Sequence, residues 1–330
     1  MHETAQALRS APESASAPLV SVVAATHNRR ERLQRMLDAL AAQTVGTDTF
    51  EVIVVDDGSS DDTPALLAAG GPEALALRTL RQPQSRGPAA ARNRGWREAR
   101  GTLIAFTDDD CEPQPYWLEQ LLAGAGGRTD VIVQGRTLPN PAEADRNGAF
   151  ARTLEVNGPS PHYPTANILY PRAVLEQLDG FNEHYGAPAG EDTDLGWRAK
   201  GLGVESVYTE DALVYHAVHE RGPMNTLKDA FRATDCIKTY KDYPELRAHL
   251  DKGIFFHPSH PLLAQAVVAG VLARKQPAAA VFALPYAAHV VRRARQAGAP
   301  AYMAPFFAVR DAVEVVAVLR GSVRHRTPVL

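Results

Sequence analysis

Cysteine is nearly absent. Cys111 and Cys236 are the two in 330 residues, and they match neither a disulfide framework nor a zinc-site spacing. No apolar run reaches the roughly 20 residues that a membrane-crossing helix needs. Charge of neither sign prevails: 35 Lys and Arg stand against 38 Asp and Glu, a formal net charge of −3, which argues against bulk nucleic-acid binding. The first apolar run leads into Ala24-Ala25-Thr26-His27-Asn28-Arg29 and not into a G-x-G-x-x-G loop, against a nicotinamide or flavin enzyme. Residues 1–18 have neither the basic start nor the apolar centre of a signal peptide, and their Ser, Ala and Pro content predicts a disordered tail.

What is present suits a globular chain with a sizeable core, with 45% hydrophobic and 22% charged residues. Residues 19–24, 51–55, 76–80 and 103–106 read as strands, and the first is apolar on both faces as a parallel strand is. Leu33, Met36, Leu37 and Leu40 share one helix face, with Asn28 as the expected cap. Asp62-Thr63-Pro64 opens a second helix and residues 88–100 form a third. This alternation predicts an α/β fold: a mixed, mostly parallel sheet flanked by helices. Further strands are expected at 131–135, 166–169, 204–208 and 212–215, and helices at 115–122, 172–178 and 195–200.

Asp108-Asp109-Asp110 follows the strand at 103–106. In an extended segment Asp108 and Asp110 point one way and Asp109 the other. Same-side carboxylates call for a cation, and a hard ion with oxygen ligands, Mg²⁺ or Mn²⁺ on a diphosphate, would supply it; a solvated acidic turn is the plain alternative. Asp56-Asp57-Gly58-Ser59 ends the second strand and offers a carboxylate to a ribose or base, Asp56 being placed at the base end. Thr26, Asn28, Arg29, Arg86, Arg92 and Asp109 complete the expected nucleotide-binding set, with Arg92 alternatively pairing a nearby carboxylate. Glu191-Asp192-Thr193-Asp194 opens a helix, where acidic residues also serve as caps.

Taken together, these pieces resemble the family 2 glycosyltransferases of GT-A fold. The matching stretches are Val54-Val55-Asp56-Asp57-Gly58-Ser59, the run from Gly87 to Gly95, Phe106-Thr107-Asp108-Asp109-Asp110, the run from Thr165 to Arg172, Leu178-Asp179-Gly180-Phe181-Asn182-Glu183, and Gly190-Glu191-Asp192-Thr193-Asp194-Leu195. They occur in the family's order over residues 19–220. The resemblance implies inverting transfer of a sugar from a nucleoside diphosphate sugar, a UDP-sugar by family habit, to a hydroxyl of a glycan, lipid-linked or small-molecule acceptor. It puts the Asp-x-Asp metal motif on Asp108-Asp109-Asp110, with Asp110 the principal ligand. The catalytic Glu-Asp pair falls on Glu191-Asp192, with Asp192 as base and Glu191 orienting acceptor or loop. His216 is the implied third metal ligand, with His219 as fallback. Thr107 and Cys111 depart from the family pattern, where relatives often have Leu and Asp, and leave the metal pair intact.

Other residues admit two readings. Asn167 would bond sugar hydroxyls or its own backbone, and Trp197 would stack on a sugar or sit in the core. A flexible stretch at 186–190 would carry Asp192 to the acceptor, and the helix start would favour its carboxylate form. The organisation expected is a catalytic domain at 19–223, with nucleotide-sugar binding at 19–135 and acceptor binding at 136–223, and a helical region at 224–330. From Pro261 onward nine Arg and Lys face two acids, and apolar runs at 262–273 and 278–291 each end in a basic pair. That region would pack on the catalytic domain or a homodimer partner, or rest peripherally on an anionic membrane. The expected location is cytoplasmic, at most peripheral on the inner face of the plasma membrane. Rival functions are a nucleotidyltransferase or sugar-phosphate pyrophosphorylase, which would show a Gly-rich first loop, and a non-catalytic sugar-binding protein.

Overall fold

The computed structural model describes residues 18–185 and 190–330, so the tail at 1–17 and most of the expected loop at 186–190 lie outside the described residues. The first half alternates strand and helix: β1 (Val20–Thr26), α1 (Arg30–Ala41), β2 (Phe50–Asp56), α2 (Thr63–Ala68), β3 (Leu77–Arg81), α3 (Pro88–Glu98) and β4 (Leu103–Thr107). Then come β5 (Cys111–Pro113), α4 (Trp117–Ala125), β6 (Val131–Pro139), β7 (Ala151–Arg152), β8 (Asn167–Pro171), α5 (Arg172–Leu178), α6 (Glu191–Gly201), β9 (Glu205–His216) and β10 (His219–Glu220). The chain ends in helices: α7 (Gly222–Phe231), α8 (Ala233–Asp242), α9 (Ser259–Ala273), α10 (Leu284–Gln296) and α11 (Ala304–His325).

Eight strands form one sheet in the order β3-β2-β1-β4-β8-β6-β9-β5. β3, β2, β1 and β4 are parallel, β8 runs against both β4 and β6, and β5 runs against β9. Alternate residues of β1 feed two cores: Val23 joins Ile53, Phe106 and Trp96 on one face, while Val22 and Ala24 join Leu33, Leu37 and Val54 on the other. Leu33, Met36, Leu37 and Leu40 of α1 are all buried, as their spacing requires. Gly95 lets α3 lie against the sheet, since a Cβ there would come within 2.5 Å of Val23. This is the mixed α/β architecture with a C-terminal helical extension that the sequence predicts.

Two expectations change. The strands expected at 204–208 and 212–215 are one strand, β9, whose register against β6 shifts between Gly135 and Arg136. A bulge absorbs the intervening polar residues while pairing continues. Asn28 does not cap α1: its backbone is left-handed (φ 53), and its Oδ1 accepts from the amides of Ser60 and Asp61. Asn tolerates that conformation and fastens the loop after β2 instead.

In the C-terminal region Tyr286, Val290, Ala294, Ala304 and Phe307 make a small core of their own. Beneath it Asp311, fully buried, takes the Arg293 guanidinium at 2.5 Å and the Tyr286 hydroxyl at 3.2 Å. One basic group of this region is therefore neutralised internally. Arg293→Met strands that carboxylate and is expected to cost about 3–5 kcal/mol in urea unfolding. Adding Asp311→Leu should recover most of the loss; an equal loss in both variants would mean that packing, not charge, holds the contact.

Candidate active site

Strand ends deliver the site. The carboxyl ends of β1, β2 and β4 open on one cleft of about 710 Å³, lined by Thr26, Asp57, Arg86, Arg92, all three residues Asp108, Asp109 and Asp110, and His216 and His219. Ligands in open α/β sheets bind beyond these strand ends.

After β4 the chain does not stay extended: it turns at 108–110, with the Cys111 amide on the Asp108 carbonyl, and returns as β5. The simple alternation of side chains expected there gives way to a turn, because β5 must reverse to pair β9. Asp109 stays outside the cluster that Asp108 and Asp110 join. Asp109 and one oxygen of Asp110 share the Arg29 guanidinium, at 2.8 and 2.5 Å. Asp108, Asp110, Cys111 and His216 each offer an atom within 4.8 Å of the others. Cys111 faces His216 across β5 and β9 in the ladder, so the pairing of these two strands assembles the set.

The hydrogen bonds show which atoms remain for a metal. The Nδ1–H of His216 donates to the Ala217 carbonyl at 2.8 Å, leaving the Nε2 lone pair 3.6 Å from Asp110 Oδ1. Two acceptors in that position call for a cation between them. Asp110 Oδ2 is held by His219 at 2.8 Å as well as by Arg29, so His219 braces the carboxylate on its other side. Burial would raise the Asp110 acid, but His219, His216 and Arg29 hold it well below the carboxylate range. Burial pushes Asp109 up to about 6 against the pull of Arg29. The Cys111 thiol is pushed far up by burial and by the adjacent Asp108 and Asp110, so it stays protonated and is a poor ligand for a hard ion. Two carboxylates and an imidazole fit Mg²⁺ or Mn²⁺.

Arg92 joins this set to the acidic start of α6. Buried at 7% exposure, its guanidinium reaches Asp108 at 2.7 Å, Glu191 at 3.3 Å and Asp192 at 3.6 Å. The sequence reading that Arg92 pairs carboxylates describes its contacts. Asp192 Oδ2 accepts from the Thr165 amide and hydroxyl, both at 3.0 Å, which leaves Oδ1 without a hydrogen bond. Burial raises the Asp192 acid despite Arg92 and Thr165, and burial with the neighbouring Asp192 charge pushes Glu191 up to about 7. The expected lowering at the helix start is overridden, because the carboxylate is withdrawn from water. Nor does Asp194 cap α6: it takes Arg198 at 2.8 Å and the Tyr243 hydroxyl at 2.7 Å, and Gly190 occupies the cap position.

Several expected positions move. Asp56 lies off the cleft, accepting the Ser59 amide and pairing Arg81 at 3.2 Å, while Asp57 lines the cleft and takes Ser85, Arg86 and Gly87 at its rim. Asn28 lines a neighbouring groove. Arg86 lies at the cleft and pairs Glu183 at 2.8 Å. The Asn167 amide is consumed by Trp117, Arg136 and Ala212, so it pins strands together. Trp197 is 7% exposed and stacks on Tyr243, a core role. Missed entirely were Arg152, Arg221 and Arg232 on the cleft wall; no motif marked them, and only the β7–β10 pairing and the turn after α7 bring them together.

Comparison with known proteins gives four likenesses. The glycosyl transferase family 2 profile matches residues 21–179. Glycosyltransferase AglE of Haloferax volcanii is 30% identical over 221 residues, covering 65% of this chain and 71% of that protein. Validoxylamine A glucosyltransferase of Streptomyces hygroscopicus subsp. jinggangensis is 27% identical, covering 72% of this chain and 65% of that one. Among solved structures, the mannosyltransferase PcManGT from Pyrobaculum calidifontis, in complex with GDP-Man and Mn²⁺, superimposes with a TM-score of 0.67 over 96% of this chain and 90% of that one, at 22% identity.

Proposed function

The chain belongs to glycosyl transferase family 2, and on that premise we propose that its cleft moves a sugar, with inversion, from a nucleoside diphosphate sugar to an acceptor hydroxyl. The observation that carries this reading is the Arg92 bridge. It holds the Asp108 end of the metal-ligand set and the Glu191–Asp192 pair at fixed separation, as a displacement between a diphosphate and an incoming hydroxyl requires.

A Mg²⁺ or Mn²⁺ ion bound by Asp108, Asp110 and His216 would supply positive charge where the leaving diphosphate gains negative charge. Arg29 holds Asp109 and Asp110 together. Asp192, held on Oδ2 by Thr165 and facing Arg92 with Oδ1 at 3.6 Å, receives the hydroxyl proton. Glu191, paired with Arg92 at 3.3 Å, orients the acceptor side.

For the donor we propose uridine. Asp57 uses three of its roughly four lone-pair sites on the loop at 85–87, leaving one acceptor for a ring N–H, which uracil and guanine offer and adenine and cytosine do not. Thermal shift with UDP, GDP, ADP and CDP, each with and without Mn²⁺, tests the reading. A Mn²⁺-dependent rise with UDP and none with ADP or CDP is expected; a rise for GDP alone reassigns the base, and no rise with any of them sinks the donor site.

We further propose a peripheral membrane contact at the cytoplasmic face. α9 is apolar nearly throughout, yet Val267, Val268, Val271 and Leu272 are more than half exposed, as are Val281, Phe282 and Leu284 in the segment packed beside it. Exposed Arg274, Lys275, Arg292 and Arg295 flank this surface. No helix among the described residues is long and apolar enough to cross a membrane. An apolar strip bordered by cations fits an anionic bilayer surface. Flotation with phosphatidylglycerol vesicles at low salt should carry the protein upward, and Val268→Glu with Val271→Glu should abolish this. Full recovery in the lipid-free fraction, with a dimer by sedimentation, would assign the face to a second copy instead.

A further inference from the structure

Cys111 is the member of the metal-ligand set that the transfer reaction as described does not use. It is fully buried, opens β5 and faces His216 in the β5–β9 ladder, so the two side chains leave the sheet on the same side. Its amide donates to the Asp108 carbonyl at 3.1 Å, which ties the residue to the turn that carries both carboxylates. Backbone pairing thus fixes where the sulfur stands.

Two carboxylates, an imidazole and a thiol each offer an atom within 4.8 Å of the others. Around a tetrahedral Zn²⁺ with its usual bond lengths, ligand atoms stand roughly 3.3–3.8 Å apart. Small side-chain rotations close that difference. The other three ligands are already oriented from behind. Arg92 holds Asp108 Oδ1, Arg29 and His219 hold Asp110 Oδ2, and the Ala217 carbonyl holds His216 Nδ1. Such outer contacts select the atoms that meet a metal. Here they leave Asp110 Oδ1 and His216 Nε2, 3.6 Å apart.

The kind of ion decides whether the sulfur takes part. Mg²⁺ takes oxygen ligands in an octahedron and keeps positions for water or phosphate, so it has no use for a thiol. Zn²⁺ is softer, binds a given set of N, O and S ligands more tightly than Mn²⁺, and is content with four. With all four side chains bound, its shell is full, as in a structural zinc site. No position then remains for a diphosphate oxygen.

We propose that Cys111 gives this centre a second mode: Zn²⁺ takes the sulfur as a fourth protein ligand and closes the centre against the donor diphosphate, so zinc is a tight, inhibitory occupant. On binding, the sulfur–hydrogen bond is exchanged for a sulfur–zinc bond and one proton leaves to solvent. The proposal rests on the metal reading of this cleft and on neither the donor base nor the acceptor.

Cobalt reports the sulfur directly, because Co²⁺ occupies zinc sites and a thiolate–cobalt bond absorbs in the near ultraviolet. Co²⁺ is titrated into the full chain, into Cys236→Ser, which removes the other thiol, and into Cys111→Ser and Cys111→Ala. The band is expected in the parent and in Cys236→Ser, and in neither Cys111 variant. Displacement of Mn²⁺ by Zn²⁺ is then followed by the paramagnetic resonance of released Mn²⁺. The parent should need about tenfold or more less Zn²⁺ than the Cys111 variants, with Mn²⁺ affinity within about twofold in all. UDP should raise the melting temperature of the parent's Mn²⁺ form and not of its Zn²⁺ form, whereas Cys111→Ala regains the rise with Zn²⁺. No band in the parent, a band that survives loss of Cys111, or equal displacement in parent and variants overturns the proposal. Equal UDP stabilisation of the parent's Zn²⁺ and Mn²⁺ forms overturns it too, as does joint loss of Mn²⁺ and Zn²⁺ affinity in both Cys111 variants. Failure of Mn²⁺ to bind the parent, with the cobalt band present, breaks the hard-ion reading and leaves the sulfur site standing, so the two failures are told apart.

Discussion

Asp110→Asn is expected to reduce transfer by about 10³-fold or more, the several kcal/mol that a metal held on a leaving diphosphate contributes. The geometry makes the position unusually sensitive. Oδ1 faces the His216 lone pair, and Oδ2 is gripped by Arg29 and His219, so each oxygen has a separate task. An amide keeps the shape, yet it offers one acceptor instead of two and no charge. Asp109→Asn supplies the contrast. Its carboxylate lies outside the metal-ligand set and is pushed up to about 6, so the folded protein gains little from its charge. Asp109→Asn should therefore keep most of the activity and most of the Mn²⁺-dependent rise in melting temperature with UDP, both of which Asp110→Asn loses. Equal losses in the two variants would show that Arg29 neutralisation, and not ligation, explains the motif. Full turnover by Asp110→Asn at saturating donor would overturn the ligand assignment outright.

Much of this was legible in the chain, and the reasons for the rest are physical. Periodicity gave α1, since Leu33, Met36, Leu37 and Leu40 must share a face, and the strand–helix alternation gave the sheet. Same-side spacing pointed to Asp108 and Asp110 and the family resemblance to His216, and the structure gathers the three into one set. What could not be read was pairing between distant segments. β5 is three residues long and carries no strand signal of its own; it exists because β9 offers an edge. Asp56 and Asp57 are adjacent and chemically identical, and only the loop at 85–87 determines which one reaches the cleft. The arginine wall depends on the two-residue pairing of β7 with β10, across sixty-odd positions of sequence. Burial was the other hidden quantity. It reversed the expected sign at Asp192, because a local helix-start field is smaller than the cost of withdrawing a carboxylate from water.

That reversal sharpens the test of the base. With its acid raised by burial, Asp192 is a stronger proton acceptor than a surface aspartate. Arg92 prevents a larger rise, and Thr165 fixes Oδ2 while Oδ1 faces Arg92 at 3.6 Å. Asp192→Asn retains the Thr165 contacts and removes the proton acceptor. The expected loss is about 10²–10⁴-fold in transfer, with donor affinity close to parental, because no contact to the Asp108 and Asp110 set is removed. The pH profile gives a second reading. A group whose folded pKa is raised loses its ionised form as pH falls through that raised value, so the acid limb of kcat/KM should lie above the ordinary carboxylate range in the parent. Thr165→Val removes one bond to the ionised form, which raises the acid further and should move that limb upward again. If Asp192→Asn transfers at the parental rate while Glu191→Gln is inactive, the proton goes to Glu191, and the Arg92 bridge then positions the neighbouring carboxylate as the base.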